Sequence, residues 1–119
     1  MKDFTDSVLP HDADKALLIG RVWRHGAIAG PSVVVVRHGE VFDISAHAPT
    51  VADLFECDDL LAVARDARGE SLGSVRDLLY YALRADGAAD APRLLAPCDV
   101  QAIKACGVTF AVSLLERVI

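Results

Sequence analysis

Residues 1–15, MKDFTDSVLPHDADK, hold few apolar positions and are interrupted by Pro10, so an irregular lead-in is expected there. From Ala16 to Arg24 the chain becomes apolar, with Leu17, Leu18, Ile19, Val22 and Trp23, while Gly20 weakens a helix; the pattern predicts a strand. Gly26 and the pair Gly30-Pro31 punctuate a loop. Val33-Val34-Val35-Val36 is a β-branched run, Arg37-His38-Gly39-Glu40 a glycine-containing turn, and Val41-Phe42-Asp43-Ile44-Ser45 a second β-rich run; together they predict a hairpin. In the second run Phe42 and Ile44 alternate with Val41, Asp43 and Ser45, so Phe42 and Ile44 are expected to face the core.

Beyond residue 48 the apolar spacing lengthens to that of helices. Thr50 precedes Val51-Ala52-Asp53-Leu54-Phe55 as an N-cap, with Asp53 in the first turn, where a negative charge favours a helix start. A second helix is expected to take Asp58 or Asp59 as its cap, to present Leu60, Leu61, Val63 and Ala64 as an apolar face, and to end at Gly69. A third begins near Ser74, carries Val75, Leu78, Leu79, Ala82 and Leu83 at helical spacing, and ends by Gly87. Gly30-Pro31-Ser32 and Gly73-Ser74 read as turns.

Residues 87–92 read as a linker, which divides the chain into a lead-in over 1–15, an α+β domain over 16–92, and a linker plus the opening of another domain over 93–119. Arg93–Pro97 is short and extended, residues 102–110 (AIKACGVTF) read as a strand, and residues 111–119 as the start of a helix. That helix would carry Leu114, Leu115, Val118 and Ile119 as an apolar stripe and stops without a capping residue, so a fragment of a longer protein is expected. The fold class is thus α+β: a small sheet containing a hairpin, short helices, and the first strand and helix of a truncated mixed-β domain.

At 119 residues and 53% hydrophobic, the chain has enough apolar material to bury a core. Its 12 Lys and Arg against 17 Asp and Glu give a net charge of -5, with the basic residues scattered singly, which argues against nucleic-acid or anionic-membrane partners. No apolar run approaches the ~20 residues that span a bilayer, and the acidic start lacks a signal-peptide pattern, so a cytoplasmic protein is expected.

Cys57, Cys98 and Cys106 are odd in number and lack metal-ligand spacing; reduced, mostly buried packing cysteines are expected. His11, His25, His38 and His47 are spread over loops and a turn, and surface positions are expected for them. Glu56, Asp58 and Asp59 are better explained by an acidic helix start than by a cation site. Tyr80-Tyr81 reads as a helix core face with one ring exposed.

Three segments taken together resemble the fumarylacetoacetate hydrolase family: GRVWRHGAIAGPSVVVVRHGEVFDIS, APTVADLFE and LLAPCDVQAIKACGVTF. The resemblance covers nearly the whole chain. It implies a small N-terminal domain leading through a P-x-D-like linker into a larger catalytic domain, whose opening signature is of the type G-x-N-Y-x-x-H-x-x-E. Laid on this sequence, the signature runs from Gly107 to Glu116. Gly107 and Glu116 match, Thr109 stands for the Asn, Phe110 for the Tyr and Ser113 for the His.

The G-V-T-aromatic sequence with Ser at the His position looks like the branch containing 2-keto-3-deoxy sugar acid dehydratases. That resemblance implies a Mg²⁺-dependent lyase, with Glu116 and Ser113 as catalytic residues and Thr109 and Phe110 contacting a 2-oxo acid substrate. On a helix Ser113 and Glu116, at i and i+3, would share a face. The implied Mg²⁺ ligands are acidic residues beyond Ile119, so the chain by itself is expected to be inactive, and the parent is expected to be a homodimer. An acylpyruvate-type C–C bond hydrolase and a stand-alone binding or dimerisation module are the alternatives.

Overall fold

The computed structural model describes residues 5–84 and 90–107. It is an α+β fold in which one five-stranded antiparallel sheet, ordered β4-β3-β2-β1-β5, is covered by helices on both faces. The strands are β1 (Leu18–Arg24), β2 (Gly30–Arg37), β3 (Glu40–Asp43), β4 (Glu70–Ser74) and β5 (Arg93–Leu95). The helices are α1 (Thr5–Val8), α2 (Val51–Phe55), α3 (Leu60–Asp66) and α4 (Val75–Leu83).

The expected hairpin is the centre of the sheet. His38 and Gly39 form a two-residue turn with φ of 52° and 75°, between the paired Arg37 and Glu40. Positive φ at both positions matches the right-handed twist of the strands, and Gly39 meets that demand without a Cβ penalty. The expected cap Thr50, and Asp59 of the pair Asp58 or Asp59, accept the amides of Asp53 and Ala62, and Ser74, near which the third helix was expected to begin, accepts the amide of Asp77, each at 3.0 Å.

The valine run is explained by burial on both sides. Val33 and Val35 pack with Ile44, α2 (Val51, Leu54) and α3 (Ala64) on one face. Val34 packs with Val22, Val41 and α4 (Val75, Leu78, Leu79) on the other. A strand covered on both faces is continuously apolar, and burial of each large aliphatic side chain contributes roughly 1.5–3 kcal/mol. The one-sided reading of β3 is therefore corrected: Ile44 is fully buried and Phe42 partly, as expected, but Val41 and Asp43 on the opposite side are buried as well. Arg37 ties β2 to α3, donating to the carbonyls of Ala67 at 2.7 Å and Ala64 at 2.9 Å, where the last carbonyls of a helix lack internal partners.

Several expectations differ from the structure. The lead-in is not wholly irregular, since Thr5–Val8 form α1 and Leu9 packs against the α4 cluster. Residues 70–74, expected to lie between two helices, form β4, which pairs with β3 through a bulge at Gly73, where φ is 99°. Arg93–Leu95, expected to lead away from the domain, pair with Trp23, Val22 and Arg21 of β1 and close the sheet. Residues 102–107, the described part of the expected strand over 102–110, are exposed and carry no regular structure; no described strand offers them a partner. Cys57 and Cys98 are only half-buried and Cys106 is exposed, so the cysteines are not mainly core residues. Among the described residues no helix is long and apolar enough to cross a membrane.

Candidate functional site

Two polar networks organise the domain, both built on an arginine of β1. The first centres on Asp43, the one charged side chain among the buried described residues, at 8% exposure. Because Asp43 ends β3 opposite Val34, its side chain lies on the α4 face, alongside Ser32 and Arg24 of the neighbouring strands. Its Oδ1 accepts the Ser45 hydroxyl at 2.6 Å and the Ser45 amide at 2.8 Å, the local pattern that Asp makes with the residue two positions on. Its Oδ2 accepts Arg24 Nη1 at 2.8 Å, and Arg24 Nη2 donates at 2.8 Å to Glu70 of β4. Burial pushes the Asp43 carboxyl up, but the Ser45 hydroxyl and amide, Arg24 and Ser32 together outweigh it and hold the carboxyl below its ordinary value.

Beside this network the loop between β1 and β2 frames a cavity of about 370 Å³, lined by Arg24, His25, Gly30, Ser32, Asp43 and Ser45 among others. It is open to solvent, and its volume falls in the range of small-molecule sites. Its polar lining comes from three strands and a loop, so it exists only once the sheet is formed.

The second network anchors the segment that follows β5. Arg21 donates to the carbonyls of Cys98 at 2.6 Å and Ala96 at 3.2 Å. Asp99 accepts the first amides of α2, Val51 at 2.6 Å and Ala52 at 3.1 Å, and the Val100 amide at 2.8 Å. The desolvation of Asp99 raises its carboxyl, but the amides of Val51, Val100 and Ala52 and the charge of Arg21 outweigh it and hold the group below its ordinary value. Asp99 thus caps a helix that begins 48 residues earlier in the chain. Asp99→Ala is expected to speed amide hydrogen exchange at Val51, Ala52 and residues 96–101 selectively, leaving the β2–β3 hairpin protected; uniform exchange across the domain would count against a local anchor.

No family model, curated protein or solved structure matches the chain.

The residues singled out from the sequence, Thr109, Phe110, Ser113 and Glu116, lie outside the described residues, as does the stripe Leu114, Leu115, Val118 and Ile119. Gly107 is described and exposed. Among the described residues no group of three or more His, Cys, Asp or Glu is placed to hold a metal ion, and both Asp43 oxygens are already occupied by Ser45 and Arg24. The described residues therefore do not fit a Mg²⁺ site. Arg24, Asp43 and Asp99 are site residues that the sequence pattern does not single out. Asp43 followed by Ile44-Ser45, and Asp99 after Pro97-Cys98, carry local turn signals, but neither shows which strand or helix the side chain meets.

Proposed function

We propose that this chain is the N-terminal portion of a fumarylacetoacetate-hydrolase-family enzyme whose parent is a cytoplasmic, homodimeric, Mg²⁺-dependent lyase acting on a 2-keto-3-deoxy sugar acid. The observation that carries the reading is the segment LLAPCDVQAIKACGVTF, with Gly107 and Glu116 at the signature positions. Its role in this domain accords with that reading: β5, Arg21 and Asp99 hold residues 93–100 against the sheet and α2, after which residues 102–107 are exposed and without regular structure. A linker fixed in this way delivers the following chain from one point of the domain, which is the requirement for a structural domain that presents a catalytic one.

In this reading Glu116 is the acid–base residue and Ser113 its catalytic partner, Thr109 and Phe110 contact the 2-oxo acid, and the metal ligands come from further along the parent. A bound Mg²⁺ would supply electrophilic stabilisation of an enolate. The test is an assay of the protein purified from its own cells, supplied with Mg²⁺ and panels of 2-keto-3-deoxy sugar acids and acylpyruvates. An intact mass well above 12.7 kDa together with water elimination from a sugar acid is the expected result. Cleavage of acylpyruvates alone replaces the lyase by the hydrolase, and a mass near 12.7 kDa with neither activity overturns the enzyme reading in favour of a binding module.

A further inference from the structure

The two ends of the Arg24 guanidinium sit in contrasting surroundings. Nη1 is held by Asp43, whose side chain is 7% exposed and is itself fixed by Ser45. Nη2 is held by Glu70, whose side chain is 65% exposed on the edge strand β4. A planar guanidinium presents a fork that matches a carboxylate, and anchoring one side on a buried acid orients the other. The exposed ion pair contributes little, because water and salt compete with it and two long side chains must be ordered to form it. A carboxylate at sufficient concentration can therefore compete with Glu70 for Arg24.

The cavity adjoins this pair: Arg24 and Asp43 line it, whereas Glu70 does not. His25 lines it and makes no hydrogen bond within the described residues, so a ring nitrogen is available to a ligand. Gly30 adds a wall where a Cβ would meet nothing within 4 Å, leaving backbone open to approach. Ile28, at the tip of the same loop and 92% exposed, offers an apolar cover for a short carbon chain. With Asp43 fixed and Glu70 near, a second negative charge on the ligand is repelled, which selects a monoanion over a phosphate dianion.

We propose that the cavity beside Arg24 is a binding site for a small organic monocarboxylate, and that Glu70 is an internal carboxylate occupying the arginine until the ligand displaces it. The site lies on the described domain and stands whether or not the family reading holds.

The test is an amide-resolved NMR titration of the 119-residue chain with sodium acetate, with sodium chloride and inorganic phosphate as probes at matched ionic strength. Acetate is expected to produce saturable shifts at Gly26, Gly30 and Ser45 that chloride does not. Glu70→Ala removes the internal competitor and is expected to tighten acetate binding by about fivefold, the ratio that the upper end of exposed ion-pair strength corresponds to. Arg24→Gln is expected to abolish binding; should that variant not fold, His25→Gln, on the exposed loop, is expected to weaken it. Non-saturating shifts shared with chloride, an unchanged acetate affinity in Glu70→Ala, or tighter binding of phosphate than of acetate would each overturn the proposal.

Discussion

Gly69→Ala is expected to destabilise the domain by about 3 kcal/mol or more, a larger loss than most single substitutions cause. A Cβ on Gly69 would lie 1.7 Å from the carbonyl oxygen of Asp43 and 2.6 Å from its carbonyl carbon. Both are backbone atoms, so no side chain can rotate away. Relief requires β3 and β4 to separate where Asp43 pairs with Glu70, or Asp43 to move and release Arg24 and Ser45. Gly30→Ala is the matched control, because nothing lies within 4 Å of its added methyl, and it is expected to be neutral or slightly stabilising. Urea unfolding of the two variants gives the comparison directly: equal midpoints would show that the β3–β4 contact yields without cost.

Asp43→Asn is expected to cost about 2–3 kcal/mol near neutral pH. The substitution keeps the shape but removes the charge opposite Arg24 and turns a donor toward a donor at Nη1 or at Ser45. The figure sits below that for a fully buried broken pair because the Arg24 side chain retains 31% exposure and can draw on water. The cost also depends on pH in a determined direction. Since the folded state holds the Asp43 carboxyl below its ordinary value, its ionised form stabilises the fold at every pH above the unfolded value of about 4, and that contribution is lost as pH falls through the lowered folded value. Asp99 shifts in the same direction but is present in both proteins, so it cancels in the difference. The gap between wild type and Asp43→Asn in urea midpoint should therefore be full at pH 7 and narrow below about pH 4. A gap that stayed constant down to acid pH would mean that the carboxylate charge does not contribute.

What could be read from the chain, and what could not, divides along the range of the interactions involved. The cap at Thr50, a cap at Asp58 or Asp59, and a helix start near Ser74 were legible because a cap and the amide it satisfies lie within four residues of each other. The β2–β3 hairpin was legible because His38-Gly39 sits between two β-branched runs and the turn's backbone angles are set locally. The candidate site was not. Arg24, Asp43 and Glu70 meet only through strand pairing, and an Asp within an alternating strand has the same local pattern whether its face meets water or a helix.

The sequence by itself determined the α+β class, the central hairpin and the starts of the three longer helices, since turn angles, caps and apolar periodicity act over a few consecutive residues. Only the tertiary structure decided that β4, with its Ser71 and bulged Gly73, is a strand at all, and that the short extended β5 pairs with β1. It likewise decided that both sides of β3 are covered and that Asp99 caps α2. An edge strand this short has too little intrinsic preference to declare itself; its hydrogen bonds come from a neighbour tens of residues away, and only when that neighbour is in place does the extended form prevail.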